Sequence, residues 1–450
     1  MKKTAVRVIS VLCVLCVILT ASAVSAGAIN FSNNVDLHCE AALMVNMDNG
    51  QIVFEKNADE KRYPASTTKI MTYIVAYENI DDIENTRIPI KQEVMSKLKD
   101  TDSSLANVAS HVGSTMTAID LLYSMMVPSG NDAALTLADY VGEGDVDKFV
   151  GMMNEKAKEL GCEDTHFENP DGLHNKDHYT TARDLYKITT SALSLPHFFE
   201  ISNTTEHTCK GESSPLVTTN YLIDGARGGE YYYRYAQGIK TGTTDEAGRC
   251  LVTTASADGN SYILVLLGAP YKMGAQEEYY TFIDAAALFR WSLVELEMQT
   301  VKSSQTPICE QKVKLAWGRD TVTLVPQNNL NAIMPKDAKT EDIIVETELP
   351  EVLEAPLSTD TPVGKASVYY VDNKSGEKQV LAEVNLVPVE NIDRSGILAV
   401  LDVIGTIFRS YWFIVVILVI ILAVAGYVIA SKIHRAKMRK RRKVKKYRNF

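Results

Sequence analysis

Ser66 and Lys69 stand three residues apart in the stretch Tyr63-Pro64-Ala65-Ser66-Thr67-Thr68-Lys69. If Ser66 opens a helix, Lys69 lies one turn later on the same face, within reach of the Ser66 hydroxyl. A serine alone is a poor nucleophile near neutral pH; a lysine held beside it and kept partly neutral can take its proton. The run Ile70-Met71-Thr72-Tyr73-Ile74-Val75-Ala76 is apolar enough to be a buried helix. Ser66 would then sit at a positive helix end, which favours the negative charge that develops in acyl transfer. Spacing alone is a weak signal. Ser-x-x-Lys recurs at Ser96-Lys97-Leu98-Lys99 and Ser375-Gly376-Glu377-Lys378, both in polar stretches that read as solvated surface.

Two further motifs supply what a nucleophile and base would need. In Val127-Pro128-Ser129-Gly130-Asn131-Asp132, the preceding run Ala118 to Met126 is helical in pattern and is stopped by Pro128 and Gly130. Asp132 would cap a following helix from Ala133 to Val141. Ser129 and Asn131 therefore fall on a tight loop, where a hydroxyl and a carboxamide can project together. The second motif, Lys240-Thr241-Gly242-Thr243, falls on a strand. Lys240 and the Thr241 hydroxyl could grip a substrate carboxylate, Gly242 would let a substrate backbone lie close, and the Thr243 amide could donate to an oxyanion. Each motif by itself reads equally well as an ordinary turn or edge strand.

Order and setting make them one constellation: helix start, inter-helix loop and strand, at positions 66, 129 and 240. This ordered set resembles that of penicillin-binding proteins and class A β-lactamases. The chain specifically resembles the low-molecular-weight penicillin-binding proteins, the serine-type D-alanyl-D-alanine carboxypeptidases. Further stretches carry the likeness: Phe167-Glu168-Asn169-Pro170-Asp171-Gly172-Leu173, His178-Tyr179-Thr180-Thr181-Ala182, and Gly238-Ile239-Lys240-Thr241-Gly242 with Ala247-Gly248. It covers about residues 35–300, and more loosely 305–390 through Ala355-Pro356-Leu357 and Val363-Gly364-Lys365.

The resemblance implies that Ser66 is the acylated nucleophile and Lys69 its base. It further implies that Ser129 relays a proton to the leaving D-alanine and that Asn131 holds the substrate amide. Lys240 and Thr241 would bind the terminal carboxylate, with the Ser66 and Thr243 amides as the oxyanion hole. The implied substrate is a peptidoglycan stem peptide, with β-lactams as covalent inhibitors. Two departures separate the chain from class A β-lactamases: Ser-Gly-Asn replaces Ser-Asp-Asn, and the Glu168 region has no glutamate placed to activate a deacylating water. Both favour a peptidase over a β-lactamase. A D,D-endopeptidase, a slow β-lactamase, or a β-lactam sensor or scaffold that acylates without turning over, stands as the alternative.

The elements that must position these groups can be read in outline. Ala41-Ala42-Leu43-Met44-Val45 and Gln51-Ile52-Val53-Phe54 flank Asp48-Asn49-Gly50, a hairpin signal. A mostly helical middle runs from Ser66 to about Leu195. Gly238–Gly242, Cys250–Thr254 and Tyr262–Leu267 then read as strands, the last two joined at Asp258-Gly259-Asn260. Glu277 to Leu296 is an apolar helix. The expected fold is α/β in composition (α+β): an antiparallel sheet closed by N- and C-terminal pieces, with a helical subdomain, as in the penicillin-binding/β-lactamase-like proteins. Alternating runs such as Lys312–Trp317 and Ser367–Val371 predict a small β-sandwich behind it. The expected organisation is a leader at 1–26, a peptidase domain at 34–300, a β domain at 302–391, an interfacial segment at 395–410, a membrane span at 411–430 and a basic tail at 431–450.

The two ends set the compartment. Lys2, Lys3 and Arg7, an apolar core from Val8 to Leu19 and Val24-Ser25-Ala26 make a secretory signal. Tyr411 to Ala430 carries no charge over twenty residues, and eleven Lys/Arg without an acid follow. That asymmetry predicts a single span of the cytoplasmic membrane, with the catalytic part extracytoplasmic and the tail cytoplasmic. The leader carries three basic residues and the tail eleven, so residues 27–430 hold a net charge of −24 against −10 for the whole chain. So acidic an ectodomain argues against a nucleic-acid partner. Five cysteines remain beyond the leader (39, 162, 209, 250 and 309), odd in number, widely spaced and without a CxxC pair. They imply neither a metal site nor a disulfide framework. His166, His174 and His178 are grouped but lack zinc-motif spacing. No cofactor and no metal are expected.

Overall fold

The computed structural model describes residues 31, 35–99, 101, 103–273, 276–372, 376 and 378–446; the leader expected at 1–26 lies outside them. The chain divides into two compact units. One comprises residues 1–301, 331–345 and 367–383, the other 302–330, 346–366 and 384–450.

The first unit is built on a five-stranded antiparallel sheet. Its strands are β1 (Ala41–Asn46), β2 (Ile52–Lys56), β3 (Ala236–Thr244), β4 (Gly248–Ala257) and β5 (Asn260–Ala269), in the order β2-β1-β5-β4-β3. The two ends of the unit's sequence therefore meet in one sheet, β1 pairing with β5 from Ala41↔Leu267 to Asn46↔Tyr262. Asp258 and Gly259 make the two-residue turn between β4 and β5, as expected. Along β5 the side chains alternate. Ile263, Val265 and Leu267 join the main core, whereas Tyr262, Leu264 and Leu266 are buried on the opposite face. An apolar run without polar alternation is what a strand covered on both faces requires.

Helices α1 (Lys69–Glu78), α2 (Ala118–Met126), α3 (Asn131–Val141) and α4 (Ala182–Leu193) form the helical part, and α5 (Tyr280–Glu295) packs on β4 and β5. Ile70, Tyr73, Ile74 and Ala76 of α1 are wholly buried. Each large apolar side chain so placed contributes about 1.5–3 kcal/mol. The buried helix carries the Ser66 segment at its N-terminal end, so the core fixes the position of Ser66. The start differs from expectation in one respect. Ala65–Thr68 is a 3-10 turn and Lys69 is the first α-helical residue, so Ser66 lies in a tighter lead-in.

In the second unit β6 (Cys309–Lys314) pairs antiparallel with β7 (Thr321–Pro326) and parallel with β8 (Leu353–Glu354). The end of β9 (Lys378–Pro388) pairs with β7 from Leu324↔Pro388 to Pro326↔Leu386. Helix α6 (Gly396–Arg409) leads into α7 (Tyr411–Lys446). The helix Tyr411–Arg439 contains a stretch long and apolar enough to cross a membrane.

Candidate active site

The 3-10 turn sets Ser66 over the first turn of α1, and Lys69 Nζ lies 2.9 Å from Ser66 Oγ. Two more acceptors surround the same nitrogen: Asn131 Oδ1 at 2.7 Å and the Asp171 carbonyl oxygen at 2.6 Å. An ammonium has three N–H donors, and here all three find oxygen. A neutral amine could still donate to Asn131 and Asp171, leaving its lone pair to receive the Ser66 O–H. Burial pushes Lys69 down to about 8, against the opposing pull of Asp171 and Asp132. The geometry and the depressed value together make Lys69 a competent proton acceptor for Ser66.

The loop Glu168–Leu173 is stitched onto this turn. Thr72 Oγ1 donates to the Pro170 carbonyl at 2.6 Å, and the Asp171 carbonyl receives Lys69. His178 Nδ1 accepts the Glu168 amide at 3.1 Å, so its Nε2–H is directed to Thr68 Oγ1 at 2.8 Å. Burial holds that imidazole neutral, its pKa lowered to about 3. Gly172, at φ +85°, has no room for a side chain: a Cβ there would lie 2.0 Å from the Ala65 carbonyl oxygen. The other two histidines of the group turn elsewhere, His166 to the Asp177 carbonyl and His174 against the Tyr63 ring.

Ser129 and Asn131 arrive from the α2–α3 junction. Ser129 sits at φ +66°, in the left-handed region that side-chain-bearing residues seldom adopt. Among the described residues its hydroxyl has no hydrogen-bond partner, and it lines a cavity of about 260 Å³ together with Ser66. Asn131 is committed at both ends, its oxygen to Lys69 and its nitrogen to Ser103 Oγ at 3.0 Å. Its expected grip on a substrate amide thus falls to the second N–H of the carboxamide. Asp132 lies inside α3 instead of capping it. Its carboxylate accepts the amides of Ala106 and Val108, at 2.9 Å each from the nearer oxygen, and so holds the 103–108 loop against the site.

Strand β3 forms the opposite wall. A Cβ on Gly242 would approach the Pro64 carbonyl oxygen to 2.8 Å and the Ser66 amide nitrogen to 3.0 Å, so only glycine lets β3 pass this close to the nucleophile. Thr241, Gly242 and Thr243 line the cavity. Lys240 is only 1% exposed and donates to the Thr241 carbonyl at 3.0 Å. Burial, then the charge of Lys69, holds it well below the usual lysine range. Its side chain is thus enclosed, on the strand face that Gly242 turns toward Ser66 and near enough to Lys69 to feel its charge. The cation lining the cavity is Arg249 of β4, stacked 3.8 Å over the Tyr279 ring, and sequence reasoning missed it. Thr219 was missed too; its hydroxyl meets that of Thr241 at 2.5 Å. Cys250, paired with Gly242 in the sheet, has its thiol pushed up to about 12 by burial, which makes it unreactive.

The other Ser-x-x-Lys matches form no such site. Ser96 closes a short surface helix and donates to the Gln92 carbonyl, and Ser375 lies outside the described residues. A cavity of about 310 Å³ near Trp291 and Tyr370 is lined by no serine or cysteine nucleophile.

Comparison with known proteins identifies the family. Residues 28–271 match the D-alanyl-D-alanine carboxypeptidase family, and residues 297–394 match the penicillin-binding protein 5 C-terminal domain. The D-alanyl-D-alanine carboxypeptidase DacF of Bacillus subtilis is 28% identical over 366 residues, covering 80% of this chain and 88% of that protein. The D-alanyl-D-alanine carboxypeptidase of Streptomyces sp. strain K15 is 34% identical over 240 residues, 50% of this chain and 79% of that one. Among solved structures, DacD from Francisella tularensis superposes with a TM-score of 0.62 at 26% identity, over 84% of this chain and 99% of that one. The chain belongs to the D-alanyl-D-alanine carboxypeptidase family and is a serine peptidase of the penicillin-binding type.

Proposed function

We propose that Ser66 is the nucleophile that removes the terminal D-alanine of peptidoglycan stem peptides through an acyl-enzyme. The contact that carries this reading is Lys69 Nζ at 2.9 Å from Ser66 Oγ, buried and depressed to about 8. In the first step neutral Lys69 takes the Ser66 proton as Oγ attacks the carbonyl carbon of the penultimate residue. Negative charge gathers on the carbonyl oxygen, where the Ser66 and Thr243 amides donate. Collapse breaks the C–N bond, and Ser129 passes the proton from Lys69 to the departing amine. Water then cleaves the Ser66 ester, with Lys69 again the base. Asn131 positions Lys69 and offers its remaining N–H to the substrate. Thr241 receives the terminal carboxylate together with Lys240, whose protonation the arriving carboxylate would favour, and Arg249 makes that end of the cavity positive. A β-lactam would be opened by the same attack and remain on Ser66.

Release of free D-alanine from a synthetic stem pentapeptide tests the activity. Ser66→Ala should abolish both that release and covalent labelling by fluorescent penicillin, while Ser96→Ala should change neither. Labelling that persists in Ser66→Ala would overturn the assignment.

The C-terminal helix supports a membrane-anchored enzyme. Residues 411–430 would span once, with the basic tail in the cytoplasm and the peptidase outside. Helix α6, whose Ile397, Val400, Leu401 and Phe408 are exposed, would lie in the interface. The full chain should then resist carbonate extraction, and protease added outside intact cells should leave the tail uncut.

A further inference from the structure

Away from the Ser66 cleft, a short hairpin pairs Glu206–His207 with Leu216–Val217. It lies against α2 so that three unlike donors converge. His207 Nε2 is 3.7 Å from Asp120 Oδ1, and these two atoms and Cys209 Sγ all fall within 4.8 Å of one another. His207 Nε2 is buried with no hydrogen-bond partner. The imidazole is held in place by stacking on Tyr123, centroids 3.6 Å apart and planes 4° from parallel. Cys209 is 4% exposed, and its Sγ has only long contacts, 3.8 Å to Ser124 Oγ and 3.9 Å to the Asp120 carbonyl. Asp120 Oδ2 is engaged by Thr117 Oγ1 at 2.6 Å, which orients the carboxylate and leaves Oδ1 toward His207.

We propose that Asp120, His207 and Cys209 form a binding site for a divalent cation of the zinc class. Tetrahedral ligands ~2.0–2.3 Å from zinc lie roughly 3.3–3.8 Å apart. The His207–Asp120 separation already meets that spacing, and the sulfur needs to close by about an ångström at most. One nitrogen, one sulfur and one carboxylate oxygen suit zinc-like ions and not magnesium or calcium, which take oxygen sets. Water would complete a tetrahedral set as the fourth ligand. Metal-free, the Cys209 thiol stays protonated, its pKa raised to about 11 by burial. Binding forms the metal–sulfur bond and releases that proton to solvent. The ion would clasp the hairpin to α2. From there α2 runs into Val127-Pro128-Ser129, and the hairpin runs into Thr218 and Thr219, whose amide donates to the Val127 carbonyl at 3.3 Å. The site thus braces two walls of the cleft without touching substrate.

The test uses the full-length, untagged chain in detergent, stripped with a chelator and titrated with Zn²⁺ alone and then Co²⁺ alone. One equivalent should bind, and the cobalt adduct should show a thiolate-to-metal charge-transfer band. His207→Ala and Cys209→Ser should each weaken binding by about 100-fold, the upper end of what losing a merely supporting group costs. Labelling by fluorescent penicillin reports whether each variant is folded; where one is not, the cobalt spectrum of the native chain decides. No stoichiometric uptake, a cobalt adduct without the thiolate band, or folded variants that bind as tightly as the native chain would each overturn the site.

Discussion

Lys69 and Lys240 are both almost fully buried, and among the described residues neither forms an ion pair. In the second unit Lys314 pairs with Glu354 at 3.0 Å and Arg319 with Glu390, all four side chains roughly half exposed. Surface pairs like these contribute about 0–1 kcal/mol. A buried ammonium is another matter. Moving Lys69 from 10.5 to about 8 corresponds to roughly 3 kcal/mol of disfavour for its charged form. One region keeps charge where it is cheap and nearly inert; the other buries it at a cost to stability, in return for a base that is neutral when needed. At pH 7 a lysine titrating at about 8 is neutral in roughly one molecule in ten, against fewer than one in a thousand for a free side chain.

The contrast can be broken most sharply at the base itself. Lys69→Arg keeps the charge but holds its proton throughout the working range. Acylation by a fluorescent penicillin should fall about 10³-fold, within the span expected for a lost general base. Next comes the loop that steadies Lys69. Gly172→Ala forces a Cβ against the Ala65 carbonyl, displacing either the Asp171 carbonyl or the Ser66 turn. An ångström of misplacement costs about 100-fold, and stopped-flow acylation should show a loss of that order in the rate constant.

A smaller effect concerns acid stability. His178 is held neutral to about pH 3 when folded, against about 6.5 for an ordinary histidine. The unfolded chain therefore binds more protons between those values, and stability must fall as pH drops from about 6.5 toward 3. The slope is about 1.4 kcal/mol per pH unit inside that window. His178→Gln should flatten that part of the dependence, read as urea midpoints at pH 7 and pH 4. Asp132→Asn weakens two charge-assisted bonds to backbone amides and should cost about 1–3 kcal/mol, seen as a lower Tm. Last, Glu354→Gln should shift Tm by no more than the equivalent of ~0.5 kcal/mol. A large loss there would erase the distinction between the two regions.

The residues that do chemistry were legible because their spacing is local. Ser66 and Lys69 needed only one helical turn to meet, and a 3-10 lead-in served as well as the α-helix expected. The sheet was legible for a similar reason: β-branched runs and Asp-Gly turns mark strands wherever they fall. What the sequence hid depends on contacts between distant segments. Nothing in the pattern near Asp171 says that its backbone carbonyl will face Lys69, since every residue has a carbonyl. Asp132 looks like a cap because it stands just after the helix stop at Pro128 and Gly130, yet the 103–108 loop, 24 to 29 residues earlier, is what its carboxylate binds. Arg249 was hidden for the same reason. Alternation along β3 turns the lysine inward, while β4 delivers Arg249 to the cavity.

The central claim is that Lys69 takes the proton of Ser66. It is tested most directly by the acylation rate of the full chain measured from pH 5 to 10, with the peptide that carries the label identified. The rate should rise about tenfold per pH unit at low pH, bend near 8 and level off, with the label on Ser66. A rate flat across that range, or a bend near the ordinary lysine value of about 10.4, would contradict it.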